Sequence, residues 1–207
     1  MIRPAGFRGV FFGDAADGNG RDETEQRVRI SDRLGIPSTW ASIRQVHGDT
    51  VVTVGESGIA GDGDGLVTES NRLPLAIATA DCLPVVIEGD RSVALVHAGW
   101  RGVAAGVIRS GVEAMQLLGD TPRRAAIGPS IGPCCFEVGD EVVEAIGGSA
   151  TTTNAGTQSV DLWSAAATQL EGLRVWRSNI CTFTDPAYHS FRRDATSNRQ
   201  VAVAWVP

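Results

Sequence analysis

Residues 79–102, TADCLPVVIEGDRSVALVHAGWRG, decide how the rest of the chain is read. Two apolar runs, 83–87 and 93–96, flank Gly89-Asp90, a two-residue loop of the kind that closes a β-hairpin. With that loop as the turn, Glu88 faces Arg91, Val86 faces Val93, Pro84 faces Leu95, and Cys82 faces His97 at the open end. Directly opposed residues have Cβ atoms about 4.5–5.5 Å apart, close enough for a thiolate and an imidazole to share a proton or a metal ion.

Working outward, LPLAIAT at 73–79 is an almost wholly apolar run that feeds into the hairpin. Strands apolar on both faces are covered on both sides. After the hairpin the spacing becomes helical over 100–118, with Val103, Val107, Met115 and Leu118 on one side and Gly119 as the stop. One long helix is therefore expected to leave from the end that carries Cys82 and His97, its first-turn amides favouring a thiolate or an anion. Upstream, SIRQVHGDTVVTV at 42–54 reads as two extended pieces joined at Gly48-Asp49, with His47 beside the turn. Residues 55–65 read as a glycine-rich loop. Asp62 and Asp64 in it lack the spacing and closing glutamate of a calcium loop and read as self-capping turn residues. A strand restarts at 66–68.

The flanks are simpler. Residues 10–12 suggest a strand, and 22–34 a solvated helix stopped by Gly35 and Pro37. Downstream come a strand at 124–127, a rigid Gly/Pro loop at 128–139, helices at 140–146 and 161–170 separated by an exposed polar loop at 149–159, and strands at 174–176 and 201–206. Strands and helices mix without regular βαβ repetition, which favours an α+β domain with mixed sheets over a doubly wound parallel one.

Composition narrows the functional classes. At 207 residues, with no Pro/Ser-rich linker, the chain reads as one domain spanning 1–207. A 43% apolar and 20% charged composition is that of a globular protein. The formal charge of −6 argues against a nucleic-acid surface, so an anionic substrate must be held by a few local arginines. No apolar run is long enough for a signal peptide or a membrane span. Four cysteines, two adjacent at Cys134-Cys135 and none in a CxxC, do not form a secreted disulfide framework, and a cytoplasmic location is expected.

Three histidines can be weighed singly. His47 and His97 each sit beside glycines at a strand end. With Cys82 they supply three ligands for zinc and leave a fourth position open, as in a catalytic site. The 35-residue separation of His47 and Cys82 matches no compact zinc motif. His189, in DPAYHSFRRD, reads as a surface histidine, and Cys134 and Cys135 as thiols packed in a tight loop.

Five blocks, QVHG at 45–48, DGLVT at 64–68, TADCLPV at 79–85, HAGWRG at 97–102 and IGPSIGPCCFEVG at 127–139, resemble the laccase-domain (YfiH-like) family. Its members carry the names polyphenol oxidase, purine nucleoside phosphorylase and peptidoglycan editing factor. The resemblance is collinear from about 45 to 193. It implies a single-domain α/β/β/α sandwich with mixed sheets, and a Zn2+ site formed by His47, Cys82 and His97. It further implies phosphorolysis of adenosine, inosine, guanosine and methylthioadenosine, with hydrolytic deamination of adenosine. Partners would be purine nucleosides and phosphate, with no nucleic acid and no membrane, in a monomer or weak oligomer.

Phosphorolysis requires an anion site, for which arginine is suited. Arg27 stands where the family has an Asn-Arg pair, with Gln26 replacing the Asn; Arg101 and Arg44 are further candidates. The Arg-Gly-Gly-x-Ser turn of the family is not visible in FRGVFFGDAADGNGRD, and ATSN replaces the glycine that follows RRD at 192–194. The deaminase signature H-x-E with P-C-x-x-C is absent, since the chain has HAG and PCC. Two other readings stand beside the phosphorylase: a thiol hydrolase of amides or peptidoglycan fragments, with His97 activating Cys82, and a non-enzymatic metal-binding regulatory protein. A multicopper oxidase fits poorly, because three histidines cannot furnish its copper sites.

Overall fold

The structure, a computed structural model, describes residues 1–147 and 150–207. In chain order the elements are β1 Val10–Phe12, α1 Thr24–Leu34, β2 Ala41–Arg44, β3 Val51–Thr53, β4 Gly58–Asp62, β5 Gly65–Thr68, β6 Leu75–Thr79, β7 Leu83–Glu88 and β8 Val93–Ala98. They continue with α2 Trp100–Ala105, α3 Val107–Leu117, β9 Arg124–Ile127, α4 Asp140–Ile146, β10 Thr151–Thr152, β11 Gln158–Ser159, α5 Leu162–Thr168, β12 Arg174–Arg177, α6 Phe191–Asp194 and β13 Gln200–Ala204. Two mixed sheets result. One has the order β1-β13-β6-β2-β4 and the other β12-β9-β7-β8-β5-β3.

Alternation along the strands sorts the side chains into three apolar layers. Phe12, Leu75, Ile77 and Ala202 of the first sheet meet Leu66, Val86, Leu95 and Ala126 of the second. Val85, Ile87, Val96 and Ile127 turn the other way, onto Val107, Ile108 and Met115 of α3 and Leu162 of α5. On the far side Phe11, Ala76, Val201 and Val203 pack with Ile30 of α1 and Trp40. The central strands of each sheet are thus buried on both faces, which is why 73–78 and 83–87 carry no polar residue; removing each such Val, Leu or Ile from water is worth about 1.5–3 kcal/mol. The order helix, sheet, sheet, helices is the expected α/β/β/α arrangement.

The central hairpin forms with a different register. Glu88 pairs with Val93, Val86 with Leu95, and Pro84 with His97. The loop is therefore the four residues 89–92, closed by the Gly89 amide on the Ser92 carbonyl at 3.0 Å. Its organiser is the buried carboxylate of Asp120, which accepts the amides of Asp90, Arg91 and Ser92 at 3.1, 3.2 and 2.8 Å and the Ser92 hydroxyl at 2.6 Å. A carboxylate from beyond α3 satisfies the loop's donors, which removes the need for a tight turn. Cys82 consequently precedes β7 and does not oppose His97 in the ladder.

Three other expectations are corrected. The helix over 100–118 is two helices, because Gly106 at φ 91° takes the left-handed conformation that ends α2 and opens α3. Within 55–65, expected as loop, β4 adds to the edge of the first sheet, parallel to β2, and β5 begins at Gly65. The polar 149–159 segment contains a small antiparallel pair, β10 with β11; its first residue, Ser149, lies outside the described residues.

Candidate active site

Asp64, immediately before β5, is fully buried and collects four donors. Its carboxylate accepts the amides of Val46, His47 and Gly48 at 3.2, 2.9 and 2.6 Å, and lies 2.8 Å from His97 Nδ1. The connection from β2 to β3 is thereby wrapped around one carboxylate, with His47 held at φ 62°. A proton on His97 Nδ1 shared with Asp64 leaves Nε2 free to face Cys82 and His47, the tautomer a metal-ligating histidine needs. The two imidazole rings meet edge to face with centroids 4.9 Å apart. One ligand atom from each of His47, Cys82 and His97 falls within 4.8 Å of the others. All three residues selected from the sequence are brought together, although by a different hairpin register from the one expected.

Gly99 makes room for this convergence. A Cβ there would stand 3.1 Å from Cys82 Sγ and 3.1 Å from His47 Cδ2. On the other flank, Asp81 adopts φ 85°. Its carboxylate accepts the Thr182 and Ser190 hydroxyls at 2.6 and 3.1 Å and the Arg192 amide at 2.7 Å. The residue before Cys82 therefore fixes the late segments against the site. Asp64 and Asp81 are the positioning groups that the linear reading missed; their presence inside the blocks DGLVT and TADCLPV is the only trace of them in the sequence.

The electrostatics couple the cysteine to the histidines. Burial opposes a charge on Cys82, but the adjacent His97 and hydrogen bonds from both rings outweigh it and bring the thiol down to about 6. Burial likewise opposes a charge on His97, yet the Cys82 thiolate and the Asp64 carboxylate lift it to about 9. Desolvation works against ionised Asp64, but its hydrogen bonds from His97 and the backbone amides hold it below the ordinary carboxylate range. Two imidazoles and a readily ionised thiol with an open side suit a borderline-soft divalent ion such as zinc.

His47, Cys82 and His97 open into a cavity of about 620 Å³, a size that accepts a nucleoside. Ile43, Ile131 and Phe136 line it, and Ile59 and Phe191, also in the lining, are 67% and 56% exposed. Four arginines face it: Arg21, Arg44, Arg192 and Arg199. Arg21 is forked onto Asp22 and Arg44 pairs with Asp62 at 2.6 Å. Arg192 and Arg199 bond only backbone carbonyls and lie over the rings of Phe136 and Phe191. Among the described residues, these two are the lining guanidinium groups without a carboxylate partner. Of the arginines expected from the sequence, Arg44 lines the cavity. Arg27 bonds the Arg21 carbonyl and Thr24, Arg101 stacks on Trp100, and neither is in the lining. His189 stands apart, its amide on Gln200.

Comparison with known proteins places this architecture. Residues 8–207 match the family described as multi-copper polyphenol oxidoreductase laccase. A purine nucleoside phosphorylase of Mycobacterium tuberculosis is 40% identical over 87% of this chain and 78% of its own. Another from Pseudomonas aeruginosa is 34% identical over 99% and 89%. Among solved structures, YlmD from Geobacillus stearothermophilus superimposes with a TM-score of 0.81 at 32% identity, covering 91% of this chain and 82% of its own. The Bacillus licheniformis protein YfiH does so with a TM-score of 0.83 at 26% identity and the same coverage. No helix among the described residues is long and apolar enough to cross a membrane.

Proposed function

Because the chain belongs to the multi-copper polyphenol oxidoreductase laccase family, and because relatives in it carry the name purine nucleoside phosphorylase, we propose that it is a zinc-dependent purine nucleoside phosphorylase that also deaminates adenosine. The observation that carries this reading is that one nucleoside-sized cavity is lined by His47, Cys82 and His97 and by Arg192 and Arg199, whose guanidinium groups have no carboxylate partner among the described residues.

Phosphorolysis forms a bond from a phosphate oxygen to C1′ of the sugar and breaks the C1′–N9 bond, whose electron pair leaves with the purine. Arg192 and Arg199 are the groups to hold the phosphate, since a guanidinium fork matches its oxygens and neither is paired with a carboxylate among the described residues. Ile59 and Phe191 offer the base an apolar clamp. A zinc ion held by His47, Cys82 and His97 would supply a Lewis acid on the cavity wall. Asp64 keeps His97 in the tautomer that presents Nε2 there.

One observation favours a second reading. In the absence of an ion, Cys82 and His97 form a thiolate–imidazolium pair at a cavity wall, the arrangement of a nucleophilic cysteine. The decisive experiment measures bound metal together with phosphate-dependent release of base, and of ammonia from adenosine, for wild type and Cys82→Ala. About one zinc per chain, with base release that needs phosphate and is lost with the metal, supports the phosphorylase. Amide hydrolysis that survives a chelator would replace it with the thiol hydrolase. Stoichiometric zinc without turnover would leave a metal-binding protein.

A further inference from the structure

A second group of soft ligands lies behind the cavity wall. Cys134 and Cys135 sit in the turn that follows β9, and Cys181 in the segment after β12; one sulfur from each lies within 4.8 Å of the others. Cys181 is buried, and its sulfur accepts the Gly132 amide at 3.2 Å. The sulfurs of Cys134 and Cys135 are 3.4 Å apart, and both residues are half-buried. Backbone bonds fix the two segments to each other, with the Ser130 amide on the Ile180 carbonyl at 3.2 Å and the Thr182 amide on the Ser130 carbonyl at 3.1 Å. Trp163 closes the turn so tightly that a Cβ on Gly132 would meet its ring at 2.8 Å.

Three thiols held together by two fixed segments, with no histidine or carboxylate completing the set among the described residues, are unlike the mixed ligands of the first site. We infer that Cys134, Cys135 and Cys181 form an all-thiolate site for a thiophilic d10 cation, copper(I) or zinc(II), separate from His47, Cys82 and His97. Sulfur-only ligand sets select such ions over harder ones. Binding is coordination without redox change: each sulfur that loses its S–H proton to solvent gains a bond to the ion. The same turn carries Ile131 and Phe136 into the cavity wall, and Arg192 lies over Phe136. A bound ion therefore clips that wall to the Cys181 segment, 47 residues further along the chain, and closing so long a loop restricts the unfolded chain.

The test uses the full chain in metal-free, reduced form: wild type, Cys82→Ala, and Cys82→Ala combined with either Cys134→Ser or Cys181→Ser. Each is titrated with copper(I) and with zinc(II) against a competing chelator, and the ligands are read by X-ray absorption. Cys82→Ala is expected to bind one equivalent of at least one of these ions in a shell of three sulfurs, with its thermal midpoint rising by on the order of 5 °C. Either double variant should lose both effects. Should Cys181→Ser fail to fold, Cys134→Ser, at a half-buried position, carries the comparison. Absence of binding by Cys82→Ala, a shell dominated by nitrogen or oxygen, or binding that persists in the Cys134→Ser double variant would overturn the site. So would purified protein whose Cys134 and Cys181 are joined in a disulfide and which takes up no ion after reduction.

Discussion

His97 and Asp64 hold each other twice: the imidazole Nδ1 lies 2.8 Å from the carboxylate, and the His97 amide donates to the Asp64 carbonyl at 2.7 Å. The same carboxylate carries the three amides around His47. One buried acid thus aligns two of the three proposed ligands. Asp64→Asn preserves shape but removes the charge that polarises His97, and partners of this kind are worth about 10–100-fold in metal affinity. Zinc affinity is expected to fall by that factor while far-ultraviolet circular dichroism is unchanged. An unaltered affinity in chelator competition would show that Asp64 acts only on the fold.

Gly99 has φ −70° and ψ 167°, a backbone conformation open to any residue. Gly99→Ala therefore tests space alone. The added methyl group presses on Cys82 Sγ and His47 Cδ2, each 3.1 Å away. The expected result is a loss of roughly tenfold or more in metal affinity with thermal stability lowered by no more than about 1–2 kcal/mol. A fully loaded variant would mean that the two ligands have more room than the geometry allows.

Metal-free protein should reveal the perturbed thiol directly. With Cys82 near 6, its alkylation by iodoacetamide is expected to rise through pH 6 and level off by about pH 7, well below the range of an ordinary cysteine. Peptide mapping separates this thiol from the other three. Zinc should protect it. Titration near pH 8–9 would show that His97 does not stabilise the thiolate.

Phosphate dependence checks the arginines. Arg192→Met and Arg199→Met each remove a charge facing the cavity, and a charge-assisted hydrogen bond is worth about 1.5–3 kcal/mol. KM for phosphate should rise by roughly ten- to a hundredfold, with a much smaller change in KM for the nucleoside. Arg123→Met, which loses a pair with Asp90 at the far hairpin loop, serves as the comparison. Equal KM values for all three would remove the arginines from the anion site.

Acid stability follows from Asp120. Its burial opposes the charge, but hydrogen bonds from Ser92, Arg91 and Thr121 hold its carboxyl below the ordinary value of 3.8. A depressed folded value means that the stabilisation is complete above about pH 4–5 and disappears as pH falls through the folded value. Asp120→Ala is expected to cost about 2–3 kcal/mol at neutral pH, and the difference from wild type should shrink in acid. Urea denaturation at pH 7 and pH 3 measures both; a difference that stays constant would refute the link to ionisation.

The central strands were legible in the sequence, because burial on both faces leaves uninterrupted apolar runs such as 75–78 and 93–96; the division into two sheets was implied only by the family resemblance, and β4, β10 and β11 were read as loop. His47 and His97 were legible from the glycines beside them, and Cys82 from its place at the open end of the hairpin, although the register that paired it with His97 was wrong. What the sequence hid lies in contacts between distant segments. The four-residue loop at 89–92 depends on Asp120, 28–30 residues away, so local turn preference pointed to the wrong register. Asp64 looked like a turn residue because nothing nearby shows that its carboxylate turns inward. Arg192 lies in the RRD of 192–194 and Arg199 in no motif, and neither was singled out, because what brings Arg192 to the cavity is the bond from its amide to Asp81, 111 residues away.

The piece of chain that bears His47 passes from the five-stranded sheet to the six-stranded one, since β2 belongs to the first and β3 to the second. Cys82 immediately precedes β7, and His97 is the next-to-last residue of β8, in the second sheet. An ion shared by the three would accordingly be a rivet between a crossing strap and a rigid plate. Prying it loose requires only the strap to lift, while the apolar seam between the sheets stays shut. Hydrogen exchange after metal removal would then quicken at 45–50 and leave the amides of β7 and β8 as slow as before, which makes the speed of metal loss a gauge of the strap's own opening.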